Sequence, residues 1–456
     1  MKLKVHSRRS RTRPGRVLVA ATTVSLVAGL LGVGTAAAAD VTPMRVDNPY
    51  AGAQVYVNPD WAAKATTGGG AAVADQPTFV WMDRIQAVTG TADAMGLRAH
   101  LDEALAQGAD LFQLVIYNLP GRDCAALASN GELPADAIGR YQSEYVDPIV
   151  DILADPAYAA LRIVTVVEID SLPNLITNVS PRPTQTDNCN TMKANGNYQK
   201  GVGYALGRLG ALPNVYNYID IGHHGWLGWD DNFQPFADLV MSQVVNNNGA
   251  SPDDVHGFIS NVANYGVLHE EHFDANTVIG GRPVREAAKW VDWNRYVDEV
   301  SYAKAYGDLF SQRFGHRISM LIDTSRNGWG GANRPDGPSS STDPNTYVEE
   351  SRIDRRIHLG NWCNQSGAGI GERPTASPEP GIDALVWVKP PGESDGASEE
   401  IPNDEGKGFD EMCDPAYQGN PRNGNNPSGA LPDAPLSGHW FQAQFSELVQ
   451  NAYPPL

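Results

Sequence analysis

Apolar positions in this chain fall in short compact runs, and each run stops abruptly at polar or aromatic residues before a stretch of helical period begins. Seven runs read as strands buried on both faces: Thr78–Met82, Leu111–Tyr117, Ile163–Val167, Val215–Ile221, Gly257–Val262, Ile318–Ile322 and Ala384–Val388. Between them the spacing predicts helices over Ala92–Ala106, Ile138–Leu153, Asn197–Leu209, Phe233–Asn246 and Ala287–Arg313, with a closing helix over Trp440–Asn451. Strands alternating with helices predict an α/β fold with a parallel sheet covered on both sides, either open and doubly wound or a barrel. No glycine-rich phosphate loop follows the first strand, which disfavours a nucleotide-binding sheet.

The residues that end these runs carry the chemistry. The first strand ends in Trp81 and Asp83, the second in Tyr117, Asn118, Arg122 and Asp123. The third, the β-branched run Ile163–Val167, ends in Glu168 and Asp170. The fourth ends in Asp220 with His223, Trp226 and Trp229, and the fifth in Asn261 and Asn264. The sixth is followed by Asp323, Ser325 and Arg326, the seventh by Lys389, Glu393 and Asp395. In an α/β barrel all of these converge on one rim, where such barrels place their active sites. Two late segments, 327–380 and 390–438, are long, non-periodic and rich in Gly, Asn, Ser and Pro, which predicts lids over that rim.

The ends of the chain set its compartment. Basic residues from Lys2 to Arg16, an apolar stretch from Val17 to Val33 and an alanine cluster before Asp40 predict a secretion signal over 1–39 and one catalytic domain over 40–456. The whole chain carries 34 Lys and Arg against 53 Asp and Glu, a net charge of −19, and loss of the leader makes it more negative. That charge repels nucleic acid and anionic membranes and suits a neutral substrate. The four cysteines, Cys124, Cys189, Cys363 and Cys413, are too widely spaced for a zinc pattern and suit two disulfides in an exported protein, with three pairings open. A secreted, extracellular monomer with no cofactor and no metal is expected.

Carboxylates beside aromatic rings point to sugar, because a pyranose offers a C–H face for stacking and hydroxyls around its edge. Glycosidic cleavage needs a carboxylic acid held protonated and help for a nucleophile on the other face. Asp170, at the end of an apolar strand, is the candidate acid, with its pKa raised by burial and by Asp123. Asp395 lies in a polar loop near Lys389, which favours its ionised form. Blander readings stand beside these: Asp123 as a turn residue, Asp220 as a group orienting His or Arg, and Trp226, Trp229 and Trp387 as core. His223 and His224 lack a zinc-like spacing, and no G-x-S-x-G elbow supports a serine hydrolase.

Four motifs in order make the pattern specific: Tyr117-Asn118-Leu119-Pro120-Gly121-Arg122-Asp123-Cys124, Val167-Glu168-Ile169-Asp170-Ser171, Asp220 through Trp229, and Trp387 through Gly396. Together they resemble glycoside hydrolase family 6, the cellulases that cut β-1,4-glucan with inversion at the anomeric carbon. The resemblance implies a distorted seven-stranded β/α (TIM-like) barrel with long loops roofing the active site. It assigns Asp170 as general acid, Asp123 as the partner aspartate, Asp395 as the proposed base, Asp220 as a supporting carboxylate and Tyr117 as the tyrosine at the distorted sugar. A water chain through Ser129 and Asp123 is the alternative to a direct base. Trp81, Trp226, Trp229 and Trp362 match sugar-stacking positions, and Lys389 and Glu393 match hydroxyl-binding groups. Asp83, His223, Asn261 and Arg326 are carried as further substrate contacts. The resemblance supports pairing Cys124 with Cys189 and Cys363 with Cys413. Asn118 stands where many members have Asp. Because the two late loops look like a roof, the expected activity is release of cellobiose from non-reducing ends of cellulose. An endo-glucanase and a non-catalytic polysaccharide-binding protein are the alternatives.

Overall fold

The computed structural model of the chain describes residues 45–92 and 94–456, all within one compact unit, Pro43–Leu456. The predicted leader lies outside the described residues. The seven expected strands are present: β1 (Val80–Met82), β2 (Leu111–Ile116), β3 (Arg162–Val167), β4 (Val215–Asp220), β5 (Gly257–Ser260), β6 (Ser319–Asp323) and β7 (Ile382–Val386). They are parallel and pair in sequence order, and an eighth strand, Thr375–Glu379, adds antiparallel to β7. The pairing is most extensive from β2 to β4, where Leu111–Ile116 matches Arg162–Val167 residue for residue. Among the described residues, the Thr78–Trp387 bridge alone closes the ring between β1 and β7, with the Phe79 N–H donating to the Trp387 carbonyl at 3.1 Å.

Alternation along each strand divides the apolar residues between two cores. Leu111 and Val115, Val164 and Val166, Tyr216 and Tyr218, Ile259, Leu321, Ala384 and Val386 fill the barrel. Phe112 and Leu114, Ile163 and Val167, Val215 and Ile219, Phe258, Met320 and Ile322 face outward. There they meet α1 (Leu97–Ala106), α2 (Asp147–Leu153), α3 (Asn197–Gly210), α4 (Asp230–Leu239) and α5 (Glu299–Phe314). A third cluster, with Trp61, Trp387, Trp329 and Phe445, covers the weak seam and anchors α6 (Gln442–Gln450). Trp387 is therefore a core residue, its indole N–H bonded to the Glu372 carbonyl at 2.9 Å.

Three expectations are corrected. The helix expected over Ala287–Arg313 begins at Glu299, because the Asp298 side chain caps it by accepting the Ser301 N–H at 2.8 Å. Ahead of that cap, Asp292 and Trp293 take left-handed φ of 43° and 68°, which no helix allows. The helix expected from Ala92 starts instead at Leu97, after Gly96. The loop 327–380 is not structureless, since it contains the helix Pro344–Ser351 and the eighth strand. Among the described residues no helix is long and apolar enough to cross a membrane, and no group of three or more His, Cys, Asp or Glu could hold a metal ion.

Candidate active site

The strand ends bring four carboxylates to one rim through unusual backbone. Beyond β2 and β3, Asp123, Glu168 and Asp170 hold left-handed φ of 52°, 54° and 56°, a conformation L-residues adopt at a cost and that clusters at functional sites. The backbone is held there by specific bonds. Glu168 accepts the N–H groups of Asn118 at 3.1 Å and Leu119 at 3.2 Å, and the Asp170 N–H donates to Oδ2 of Asp220 at 3.0 Å. Oδ1 of Asp220 accepts from the Gly222 N–H at 3.0 Å, fixing the turn that leads to His223.

Burial and mutual repulsion push these acids up together. Asp170 is raised well above the usual carboxylate range by desolvation first, then by Asp123, Asp220 and Asp395. Asp123 is pushed up to about 6 by burial, although hydrogen bonds from Ser129 and Tyr117 and the charge of Arg122 pull it down. The Tyr117 hydroxyl bonds to Oδ2 of Asp123. Asp220 is pushed up to about 7 by burial, against the pull of its two backbone N–H donors. Such a cluster retains a proton near neutral pH, and Asp170 is the member on which every influence raises the pKa, whereas Asp123 and Asp220 are each pulled down by hydrogen bonds.

Asp395 is held differently. Nη1 of Arg326 lies 2.8 Å from both its oxygens, and Oδ2 also accepts from the Tyr265 hydroxyl at 2.7 Å and the Asn364 N–H at 2.8 Å. The expected lysine partner is thus replaced by a buried arginine, while Nζ of Lys389 turns to the Ser394 carbonyl at 3.0 Å. Nothing in the local sequence marks Tyr265 and Asn364, which reach Asp395 from other loops.

The carboxylates Asp123, Asp170 and Asp395 line a cavity of about 380 Å³ together with Tyr117, Ser129, His223, Trp226, Trp229, Trp362, Lys389 and Trp81. A second cavity of about 410 Å³ shares Trp81, Tyr117 and Lys389 with it and adds Asp83, Glu393 and Glu405, so a continuous cleft runs past the acids. The tryptophans are oriented by their N–H groups: Trp81 donates to the Val388 carbonyl at 2.8 Å, Trp226 to Oγ1 of Thr177 at 2.8 Å and Trp229 to the Asp292 carbonyl at 2.7 Å. His223 is held neutral, its pKa driven well below its usual value by burial and then by Arg356 and His224. Its Nδ1 has no hydrogen-bond partner among the described residues.

A family model described as Glycosyl hydrolases family 6 matches residues 43–452. The chain belongs to this family. It is 51% identical over 444 residues to Exoglucanase A of Cellulomonas fimi, covering 92% of this chain and 50% of that protein. The chain thus spans about half the length of that relative. The catalytic domain of Cellulomonas fimi Cel6B superposes with a TM-score of 0.85 at 51% identity, covering 91% of this chain and 97% of that domain. Cellobiohydrolase II (Cel6A) from Humicola insolens, in complex with glucose and cellotetraose, superposes with a TM-score of 0.67 at 31% identity, covering 90% and 100%.

Over this family 6 cleft the two late loops form a roof. His358, Gly360 and Trp362 come from the first, Met412, Arg422 and Ser437 from the second, and the Cys363–Cys413 disulfide joins the two. Cys124–Cys189 secures the loop after β2 to the helix Asp187–Asn195. The roof also reaches across the cleft. Leu127 N–H donates to Oδ2 of Asp410 at 2.8 Å, Gly408 N–H to the Leu127 carbonyl at 2.9 Å, and Arg84 pairs with Glu405 at 2.8 Å. Arg356, fully buried on Asp354, ties the first loop to Asn264 at 2.8 Å.

Two expected contacts lie off the cleft. Arg326 is fully buried beneath Asp395, and Asn261 donates to the carbonyls of Asp323 at 2.8 Å and Gly266 at 3.2 Å, so both build the rim. Conversely, Arg182, Thr184, His358, Arg422 and Ser437 line the cavity without having been expected there. Arg422 sits in the glycine- and asparagine-rich stretch 419–429, whose composition hides a single functional side chain.

Proposed function

We propose that the protein is a secreted cellobiohydrolase that cleaves β-1,4-glucosidic bonds of cellulose with inversion, releasing cellobiose from non-reducing ends. The observation that carries this reading is the proton-retaining group of Asp170, Asp123 and Asp220 beneath a disulfide-stapled roof. Asp170 gives its proton to the glycosidic oxygen as the C1–O bond breaks, and water attacks C1 from the opposite face. Asp395 has its oxygens already occupied by four hydrogen bonds from Arg326, Tyr265 and Asn364, which leaves little room to take up an attacking water. The water's proton therefore leaves along Ser129 toward Asp123, whose pKa near 6 suits a relay. Asp220 fixes Asp170 and keeps its pKa high.

Trp81, Trp226, Trp229 and Trp362 stack on glucosyl rings, while Lys389, Glu393, Asp83 and His223 meet hydroxyls. The loop ties across the cleft favour a chain threaded from its end over one bound mid-chain. Residues 1–39 act as the leader and 40–456 as the catalytic domain, working as a monomer on cellulose, and the two disulfides suit an oxidising exterior.

The test is product analysis on long cello-oligosaccharides with NMR of the first-formed anomer, beside viscometry on carboxymethyl cellulose. Cellobiose as its α anomer with slow viscosity loss is expected. A rapid viscosity drop with little cellobiose would replace exo by endo action. An initial β anomer would overturn inversion.

A further inference from the structure

Single exposed apolar side chains are common on protein surfaces, and Trp293 is notable for how it is held rather than for exposure alone. It is 56% exposed, with a left-handed φ of 68°. Its backbone is clamped on both sides by Arg285: the Trp293 N–H donates to the Arg285 carbonyl at 2.6 Å, and Nη2 of Arg285 donates to the Trp293 carbonyl at 3.1 Å. Its indole bonds to none of the described residues. Strain of this kind costs on the order of 1 kcal/mol and persists only where the surroundings impose it.

Those surroundings are the wall of the cleft. The residues flanking Trp293 each bond to the segment that carries Trp226 and Trp229. The Asp292 carbonyl accepts the Trp229 indole N–H at 2.7 Å. Buried Asn294 donates to the His224 carbonyl at 2.8 Å, and Nη2 of Arg295 lies 2.8 Å from Oδ2 of Asp230, the residue after Trp229. The 292–295 turn is therefore one rigid piece with the Trp226–Trp229 wall, and Trp293 is the side chain in it left free.

We propose that Trp293 is a stacking platform for the glucan chain just outside the roofed cleft, adding one sugar-binding position beyond Trp229. This rests on the glucan-hydrolase reading above. An indole presents a flat apolar face to the C–H face of a glucosyl ring. The exposed Asp230–Arg295 pair and Asp292 beside it supply the hydrogen-bonding partners that sugar hydroxyls need. Because the turn is rigid, the platform is presented at no ordering cost when the chain arrives.

The test compares wild type with Trp293→Ala and Trp293→Phe on cellotetraose, as the short substrate, and on amorphous cellulose, as the long one. Trp293→Ala is expected to lower kcat/KM on cellulose relative to cellotetraose by about fivefold, the scale of one exposed aromatic contact, with Phe restoring part of the ratio. Equal effects on both substrates, or none, would overturn the platform. Calorimetry with cellohexaose gives a reading independent of turnover: weaker binding by Trp293→Ala is expected, and unchanged affinity overturns the proposal. A wild type that binds cellohexaose yet cleaves no glucan would overturn the hydrolase reading and leave the platform standing on the calorimetry.

Discussion

The backbone N–H of Asp170 donates to Oδ2 of Asp220 at 3.0 Å, so one acid is placed by the next along the sheet rather than by its own strand. The bond fixes the position of Asp170 while leaving its carboxyl free to hold a proton. Asp170→Ala is expected to retain cellulose binding and lose at least about a hundredfold in turnover on natural glucan, the usual weight of a general acid. Substrates with good leaving groups should lose less. Unchanged turnover on cellulose would remove Asp170 from that role.

The same cluster sets a pH dependence of stability. Asp123 and Asp220 have folded pKa values of about 6 and about 7, above an unfolded value of about 3.9. The folded protein then binds more protons than the unfolded chain between those limits, so this contribution is full at low pH and is lost as pH rises through 6 to 7. Asp220→Asn is expected to flatten the melting-temperature profile between pH 5 and 8. An identical slope in wild type and variant would contradict the assignment.

Arg326 and Asp395 are both buried, and breaking such a pair on one side strands a charge. Asp395→Ala is expected to destabilise the fold by about 3–5 kcal/mol in chemical denaturation. Activity measured well below the melting point should exceed that of Asp170→Ala, because the proton route through Ser129 and Asp123 remains. Azide rescue of Asp395→Ala would instead mark Asp395 as a direct base.

Asn118 is fully buried, and its Nδ2 donates to Oε1 of Glu132 at 2.9 Å. Asn118→Asp would set two carboxyls face to face, which is tolerable only while they share a proton. The variant should melt close to wild type near pH 4 and clearly below it at pH 8. Parallel melting curves across that range would refute the contact.

Removing the roof staple with Cys363→Ser and Cys413→Ser opens a closure of sequence separation 50, worth up to about 4 kcal/mol on a chain-entropy estimate. The looser roof should raise viscosity loss per cellobiose released. An unaltered ratio would show that Arg84–Glu405 and the Leu127 contacts hold the roof unaided.

The barrel was legible because strand burial on both faces writes uninterrupted apolar runs, and the acids were legible because each ends one of them. What escaped notice has a common physical origin. Asp298 ends the misread helix by capping its successor, a single-residue event inside a helical composition. Arg326 read as a sugar contact because sequence shows that a cation follows β6 but not that it folds inward onto Asp395. The strand Thr375–Glu379 is largely exposed and lacks the apolar run by which the others were found. Tyr265, Asn364, Arg422 and Ser437 act through contacts between distant loops, for which no local pattern exists.

The weak seam between β1 and β7 lies across the ring from Asp170 and Asp220. Asp170 follows β3 and Asp220 ends β4, a pair with unbroken register, whereas Trp81 lies in β1 and Lys389 follows β7, the two strands joined by a single bridge. The barrel is thus divided into a stiff arc that keeps proton donor and support in alignment and a compliant arc that sets the aperture. Changes in width to suit a bulkier or branched polysaccharide can accumulate at the compliant side without disturbing the bond-breaking geometry, which makes the seam the natural place to alter substrate range.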